Sequence, residues 1–380
     1  MLAIEKLTER EKDVLELIKD DATISREKIA DKLSISESAV GTYIYHLSTK
    51  GYILGRGYIT APEKKIVVVG GANLDIKGYS PNYIKGSSSP GWIKESPGGV
   101  GRNIAEDLAF LGQEVVLLTV VGSDHFGKKI KEETEYAGVD VSHIKTIPSL
   151  EYKTGVYLAH LNQDGDLIGA VNDMRILDMI DKNYLNEKRK IIETSSILIF
   201  DTNLSQSSIK NLLSLCSGGK MIKIADTVSV EKALKLQSSI KTLDYLRGNL
   251  DEIEILLNIV KIEDSEKAKK MSINQRMKRI VKYYSKNKDL PEMIISTGKN
   301  GAYHLSRNKD KISLKHFKAA EIKSEEIVET TGAGDALTAG FAAGLMNKYP
   351  VDKAVELGIK ASAFTVKTEL TCSPDLAKLK

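Results

Sequence analysis

Short apolar runs of strand length alternate with helical patterns through most of this 380-residue chain. The clearest runs are KIVVVGGAN, EVVLLTVVG, SSILIFDT, MIKIAD and EMIISTG. Parallel strands need a long crossover, commonly a helix, so this order predicts a mostly parallel α/β sheet with helices on both faces. None of the runs approaches the ~20 apolar residues of a membrane span, so we expect no membrane partner.

Two segments interrupt the alternation. Residues 76–97 are rich in Gly, Ser and Pro, and residues 154–173 have the pattern of a hairpin that turns at Asp164 and Gly165. Both suit a small β lid. Ligands of open α/β sheets bind at the carboxyl ends of the strands, so we expect the lid to cover that end.

Residues 1–60 are organised differently. An amphipathic helix follows Thr8, a second short helix follows Ser25, and a third helix runs from the turn ISES to Gly51. The segment YILGRGYIT then predicts two short strands. This order resembles the winged helix-turn-helix family, which implies DNA binding by the third helix. The polar face of that helix would comprise Ser36, Ser38, Thr42, Tyr43 and His46.

The polar linker TAPEKK (60–65) predicts two domains, at 1–60 and 61–380. The partner of the first domain stays open, because residues 1–60 hold nine Lys and Arg against ten Asp and Glu, whereas DNA-binding surfaces are usually basic. Docking to protein or dimerisation is the alternative. If DNA is the partner, Arg26, Lys50 and Arg56 are the candidate phosphate contacts.

The cysteine content and the first residues indicate the cellular compartment. Cys216 and Cys372, the two cysteines, form neither a metal-binding pattern nor a disulfide framework. The first residues carry charges where a signal peptide needs an apolar core, so we expect a cytoplasmic protein. The net charge of +4 does not by itself indicate nucleic acid. We expect the protein to form a homodimer.

The stretch ETTGAGDALTAG (329–340) places one carboxylate directly behind a glycine-rich turn. Such a turn at the start of a helix directs backbone N–H groups and the positive end of the helix dipole at one point, which suits an anion. Asp335, in the first helical turn, would lie beside that anion and could accept a proton from an attacking hydroxyl. An ordinary N-terminal helix residue is the alternative.

A second stretch of the same kind, GGVGRNIAEDLAFLG (98–112), precedes it by more than 200 residues. Together the two stretches resemble the signature motifs of the ribokinase-like carbohydrate kinases, the PfkB family, over about residues 61–380. The resemblance implies phosphoryl transfer from ATP, with Gly332, Ala333 and Gly334 as the anion hole and Asp335 as the general base.

Further motifs extend the resemblance and imply roles for other residues. GGANLD implies that Asn73 and Asp75 face the acceptor, with Gly98, Gly99 and Asn103 beside it. NLDE implies that Asn249 and Glu252 organise Mg²⁺ through water, and STGKNG places Thr297 and Gly298 near the nucleotide. Ordinary roles stay open: a cap for Asp75, a helix start for Asn103, and a solvated helix face for Asn249 and Glu252.

One position departs from the family. Many members have Asp where this chain has Glu329, in a loop that also helps to hold a monovalent cation. The resemblance therefore leaves activation by K⁺ open.

The acceptor is suggested by three features: AVNDM (170–174), ADTVSVEKA (225–233) and the amino-terminal helix-turn-helix. Together they resemble bacterial pseudouridine kinases, which implies that Asn172 and Asp173 lie over the nucleoside and Lys232 lies near phosphate. A surface turn and a solvated face are the alternatives. The predicted reaction gives pseudouridine 5′-phosphate. The runners-up are another nucleoside or pentose kinase, of the ribose, adenosine or fructose type, and a transcription regulator whose kinase-like domain only senses ligand.

Overall fold

The computed structural model describes residues 7–53, 63–149, 151–162, 164–216, 221–309 and 311–380. The chain divides into two compact units, Met1–Glu63 and Lys64–Lys380.

The first unit contains three helices, α1 (Glu9–Asp20), α2 (Arg26–Leu33) and α3 (Glu37–Thr49). α1 and α2 begin at the predicted caps, because the side chains of Thr8 and Ser25 each accept a bond from a backbone N–H of the first turn. Ser36 caps α3 in the same way, although the sequence predicts it on the polar face of that helix. Their apolar faces meet in a separate core of the following buried residues: Val14, Leu15, Ile18, Ile24, Ile29, Ala30, Val40, Ile44, Leu47 and Ile53. The predicted wing lies outside the described residues, apart from Tyr52 and Ile53.

Lys50, a candidate phosphate contact, has another role in the structure. Its Nζ lies 2.9 Å from Oε2 of Glu11, a carboxylate with 2% of its side-chain surface exposed. Burial acts to raise the pKa of Glu11, but the bonds from Lys50 and Thr8 outweigh it and lower the pKa. Lys50, at the end of α3, thus neutralises a buried charge on α1 and is engaged within the unit.

The second unit is built on an eight-stranded sheet with the spatial order β14-β13-β12-β11-β10-β9-β1-β4. Neighbours from β9 to β12 are parallel, as are β1 and β4, whereas β13 and β14 are antiparallel additions at one edge. The predicted mostly parallel sheet is thereby confirmed. Its strands are β1 (Glu63–Val69), β4 (Val115–Leu118), β9 (Ser195–Asp201), β10 (Ile222–Asp226), β11 (Tyr245–Asn249), β12 (Glu292–Ser296), β13 (Ala302–Asn308) and β14 (Lys311–Phe317).

Helices cover both faces of this sheet, and the buried residues of the two faces form two hydrophobic clusters. The helices are α4 (Val100–Phe110), α5 (His125–Tyr136), α6 (Lys182–Glu187), α7 (Arg189–Glu193), α8 (Gln206–Leu215), α9 (Val230–Ala233), α10 (Leu250–Leu256), α11 (Ser265–Lys269), α12 (Ile273–Lys286), α13 (Ala333–Met346) and α14 (Val351–Thr365). α13 consists almost wholly of small and apolar residues because it is buried along most of its length.

The run EVVLLTVVG forms two strands, where the sequence predicts one. β4 ends at Leu118, and β5 (Val120–Gly122) belongs to a separate pair with β6 (Lys145–Ile147). The break falls at Thr119, whose hydroxyl donates to the carbonyl of Gly70 at 2.7 Å. This bond ties the strand break to the loop that follows β1.

The two segments predicted to form a lid build a separate four-stranded sheet with the order β3-β2-β7-β8, which we call the lid. Its strands are β2 (Asn73–Tyr79), β3 (Trp92–Gly98), β7 (Gly155–Leu161) and β8 (Leu167–Asp173). Strands β7 and β8 form the predicted hairpin, and β2 pairs with β7 in parallel. Residues in register across the four strands share one face, and this places Asp75, Ser96, Tyr157 and Asn172 on the same face.

Candidate active site

Polar side chains lie at or near the carboxyl ends of the central parallel strands. β9 ends at Asp201, β10 ends at Asp226, and Arg247 lies two residues before the end of β11. These three strands are neighbours in the sheet, so their carboxyl ends meet at one edge. This edge is the usual ligand-binding position of an open α/β sheet.

The glycine-rich turn before α13 faces the same groups. Gly332 caps the helix with φ of 84°, and a Cβ there would lie 2.0 Å from the carbonyl oxygen of Thr371. Only glycine fits this left-handed, closely packed position. Gly334 is constrained for another reason, because a Cβ would lie 2.2 Å from Nη2 of Arg247. The guanidinium therefore rests directly against the first turn of α13.

Arg247 is a site residue that the sequence interpretation missed. Its Nη1 lies 3.3 Å from Oδ2 of the fully buried Asp226, and 12% of its side-chain surface is exposed. Its buried Nε has no hydrogen-bond partner within the described part of the chain. A buried cation with an unused donor, beside a helix N-terminus, suits an anionic group of a ligand.

Asp335 and Asn103 bring the two glycine-rich motifs together. Asn103 Nδ2 donates to Asp335 Oδ2 at 2.8 Å across 232 positions of sequence, and Asn103 Oδ1 accepts from the Thr371 hydroxyl at 3.1 Å. Burial and the neighbouring Asp226 carboxylate raise the pKa of Asp335 well above that of a free carboxyl, while Asn103 and Arg247 act in the opposite direction. The result is a buried carboxyl with raised basicity.

Asp226 and Asp201 support this arrangement from the strand ends. Asp226 Oδ2 accepts from the Thr338 hydroxyl of α13 at 2.8 Å. Asp201 accepts from the backbone N–H of Gly71 at 2.8 Å and so fixes the loop that leads into the lid. Both carboxylates were missed, although a polar residue directly after an apolar run is a signal that the sequence does contain.

The inner face of the lid carries Asn73 and Asp75. Asn73 Nδ2 donates to Asp75 Oδ1 at 2.6 Å. Burial raises the pKa of Asp75, and the bond from Asn73 partly offsets this. A Cβ at Gly98 would lie 2.4 Å from Asp75 Oδ2, and one at Gly99 would lie 2.5 Å from the carbonyl oxygen of Gly71. Both glycines thus leave room for the Asp75 carboxylate and the GGAN loop.

Asn172 and Asp173 do not share a face. Asn172 pairs in register with Tyr157 and lies on the face of Asp75. Asp173 points to the opposite face, because consecutive strand residues alternate. Its carboxylate accepts from Arg175 Nε at 2.9 Å and Nη2 at 2.8 Å. The structure therefore brings Asn172, but not Asp173, onto the lid face that carries Asp75.

Asn249 and Glu252 form a reciprocal cap at the start of α10. The Asn249 side chain accepts from the Glu252 backbone, and Glu252 Oε2 accepts from the Asn249 backbone N–H at 2.8 Å and the Thr227 hydroxyl at 2.6 Å. Glu252 Oε1 accepts only from Asn249 Nδ2 at 2.8 Å among the described residues. No cluster of three or more His, Cys, Asp or Glu that could hold a metal directly occurs in the described ranges.

Lys232, which is predicted to lie near phosphate, contacts the loop that follows β9. Its Nζ donates to Asn203 Oδ1 at 2.6 Å, and Asn203 in turn lies against Gly71. Burial lowers the pKa of Lys232, although Asp201 opposes the shift. Thr297 and Gly298 lie in a tight loop, in which the Thr297 hydroxyl donates to the carbonyl of Gly301 and Gly298 has φ of 60°.

Comparison with known families finds one match for each of the two units. Residues 63–378 match the pfkB family carbohydrate kinases, and residues 5–50 match the luxR family of bacterial regulatory proteins. The chain belongs to the pfkB family of carbohydrate kinases, with an amino-terminal helix-turn-helix domain. Among the described residues, no helix has the length and apolar character needed to cross a bilayer.

Two individual relatives and one solved structure are also similar to this chain. The chain is 30% identical to the pseudouridine kinase of Escherichia coli over 313 residues, which is 82% of this chain and 93% of the relative. It is 37% identical to the uncharacterized sugar kinase YeiI of Escherichia coli over 251 residues, 66% of this chain and 68% of the relative. The ribokinase of Cryptococcus neoformans, solved with ADP, has a TM-score of 0.68 at 20% identity, covering 83% of this chain and 99% of that one. This last likeness identifies the fold as ribokinase-like.

Proposed function

We propose that this protein transfers the γ-phosphoryl group of ATP to the 5′-hydroxyl of pseudouridine. The observation that carries a kinase reaction is the convergence of Asp335, Asn103 and Arg247 at the N-terminus of α13. One buried carboxyl, oriented by an amide, lies next to a helix end and a guanidinium that suit phosphate charge.

The chemistry follows from these positions. Asp335 accepts the proton of the acceptor hydroxyl as its oxygen bonds to the γ-phosphorus, and the bond from that phosphorus to the β–γ bridging oxygen breaks, which releases ADP. The N–H groups of the Gly332–Gly334 turn and the Arg247 guanidinium stabilise the negative charge on the transferred group. Asn103 keeps the Asp335 carboxylate aimed at the hydroxyl.

Mg²⁺ fits this site through water. Glu252 Oε1 has a lone pair left after its bond from Asn249, and magnesium is commonly held by few carboxylates plus waters and phosphate oxygens. Bound Mg²⁺ would neutralise phosphate charge. Activation by K⁺ stays a prediction, tested by comparing turnover in Na⁺ and K⁺ buffers.

The lid face supports a nucleoside as acceptor. Asp75 has the chemistry to accept bonds from two ribose hydroxyls, while Tyr157 and Asn172 in the same row offer a ring to stack on a base and an amide to bond its edge. The likeness to a pseudouridine kinase favours pseudouridine among nucleosides.

The test is ATP consumption by the full-length protein with pseudouridine, uridine, adenosine, ribose and fructose in turn. We expect the highest kcat/KM for pseudouridine. Preference for ribose or fructose would replace the nucleoside assignment by a sugar. Absence of turnover with all five would favour the ligand-sensing regulator, although a sensor has no chemical need for Asp335 in its glycine-rich turn.

The first unit supports a second function, DNA binding. The ordered pair α2 and α3, joined by a short turn, and the match to the luxR family favour it. Of the predicted polar face, Ser38 and Thr42 are exposed, whereas Ser36 caps α3 and Tyr43 packs against the core of the unit. A gel shift with genomic fragments at low salt tests it.

A further inference from the structure

Glu329, just before the glycine-rich turn of α13, makes contacts in two directions. Its Oε1 accepts from the backbone N–H groups of Thr330 at 3.0 Å and Thr331 at 3.1 Å, and from the Thr331 hydroxyl at 2.8 Å. Its Oε2 accepts from Lys77 Nζ at 2.7 Å. One oxygen therefore organises the turn, and the other oxygen reaches a different part of the domain.

That other part is the lid. Lys77 lies on β2 two residues beyond Asp75, so both side chains are on the inner lid face. The ion pair is well shielded, with 17% of the Lys77 side chain and 29% of the Glu329 side chain exposed. Burial acts to raise the pKa of Glu329, but the bonds from Lys77 and Thr331 hold it at about 2, so the carboxylate is charged at any physiological pH.

The contact between Lys77 and Glu329 also offsets a repulsion between two lysines of the lid. Lys94 of β3 lies directly opposite Lys77 in register. Like charges directly opposite each other on neighbouring strands are destabilising. In the structure each lysine meets a carboxylate of the sheet-bearing body: Lys77 meets Glu329, and Lys94 meets the exposed Glu369. The shielded pair of Lys77 with Glu329 therefore favours the lid against the body, whereas the exposed pair of Lys94 with Glu369 contributes little.

We propose that Lys77 and Glu329 are positioning residues that couple closure of the lid over the acceptor to the ordering of the turn that binds phosphate. The coupling rests on the proposed kinase function. When Asp75 engages an acceptor, Lys77 is held against Glu329, and the oxygen of Glu329 that bonds Thr330 and Thr331 fixes the turn into Gly332. Aspartate at position 329 would be one methylene shorter, so its carboxylate would extend less far from the turn towards Lys77.

The kinetic test uses four single variants and one double variant of the full-length protein. Lys77→Met and Glu329→Gln should each lower kcat by about tenfold and leave the KM for ATP within about twofold, and the double variant should be no worse than either single variant. Lys77→Arg should restore most of kcat. The matched control is Lys94→Met, which removes the neighbouring lysine but not the contact to the turn, and should change kcat by less than about twofold.

Hydrogen exchange of the ligand-free protein gives a second readout, independent of turnover. Amides of residues 330–334 should exchange faster in Lys77→Met than in the wild type and in Lys94→Met. Additive kinetic losses in the double variant, equal losses in Lys94→Met, or unchanged exchange in Lys77→Met would each overturn the coupling. Absence of turnover in the wild type would refute the kinase function alone, because the exchange comparison would still decide whether Lys77 orders the turn.

Discussion

Burial makes the Asp335 carboxylate a stronger base, and it also makes the ionised form of Asp335 unfavourable for folding stability. A carboxyl whose pKa is raised towards the working pH transfers protons efficiently, and the Arg247 guanidinium keeps its ionised form accessible. Asp335→Asn should therefore keep the fold and nucleotide binding while kcat falls by roughly 10²–10⁴-fold. Steady-state kinetics with calorimetric nucleotide titration measures this. Near-normal turnover in the folded variant would remove Asp335 from the mechanism.

The same residue should make stability depend on pH. In the unfolded chain an Asp carboxyl ionises near pH 3.9, and in the folded protein it ionises at higher pH. Between these values the folded state binds more protons, so stability falls as the pH rises. The stability of Asp335→Asn relative to the wild type should thus increase with pH above about pH 4, by at most ~1.4 kcal/mol per pH unit. Urea unfolding at pH 5, 6.5 and 8 checks this, and a pH-independent difference would contradict it.

Asp75 is predicted to act on the acceptor alone. Asp75→Ala should raise the acceptor KM by at least tenfold, because ribose hydroxyls lose charge-assisted bonds worth about 1.5–3 kcal/mol each. The KM for ATP should hold. Asp173→Ala, on the opposite face of the lid, should have the smaller effect on the acceptor. Equal effects of the two variants would mean that the assignment of the lid face is wrong.

At the scale of elements, α13 and α14 show how a small-residue sequence specifies packing. A Cβ added at Gly340 would lie 2.7 Å from the Cα of Gly358, and one at Gly358 would lie 2.6 Å from the carbonyl of Leu337. The backbones are therefore in direct contact, and neither can retreat as a side chain could. This contact holds the helix whose first turn carries Asp335.

Gly340→Ala should accordingly lower the free energy of unfolding by roughly 1–3 kcal/mol, the usual range for an overpacked core. Gly169→Ala is the matched control, since a Cβ at this lid position meets nothing within 4 Å. Guanidinium unfolding of both variants measures the difference. A loss as small in Gly340→Ala as in Gly169→Ala would show that the helices separate easily.

The elements differ in how far the sequence could predict them. Continuous apolar runs indicate buried strands well, but the break at Thr119 depends on a bond to Gly70 that only the folded chain creates. Asp335 and Asn103 were each found within a local motif. Arg247 was not, because its contact with Gly334 depends on strand order. Period-two alternation could have separated Asn172 from Asp173 at the start.

At the scale of the whole molecule, each unit has its own core and its own chemistry. The buried residues of α1, α2 and α3 form a cluster separate from those of the kinase unit, and each side chain proposed for catalysis belongs to Lys64–Lys380. A protein truncated to begin at about residue 62 should therefore fold and keep most of its kinase turnover. Turnover lost from a folded truncation product would instead make the first unit part of the active assembly.

The remaining prediction concerns DNA. Residues 1–60 hold nine basic against ten acidic residues, and Lys50 is engaged with Glu11, so few phosphate contacts are available and the salt dependence of binding should be shallow. Two copies held by a dimer would compensate, since each reads one half-site. We therefore expect weak binding by the isolated unit and tighter binding by the intact protein in gel shifts between 50 and 200 mM salt. Over this range the affinity of charge-driven binding falls by on the order of tenfold or more.

Thr42→Glu, on the exposed face of α3, should abolish DNA retention through repulsion of phosphate and leave kinase turnover unchanged. Retention unaffected by this change, or none by the intact chain at low salt, would favour a protein-docking role for the unit.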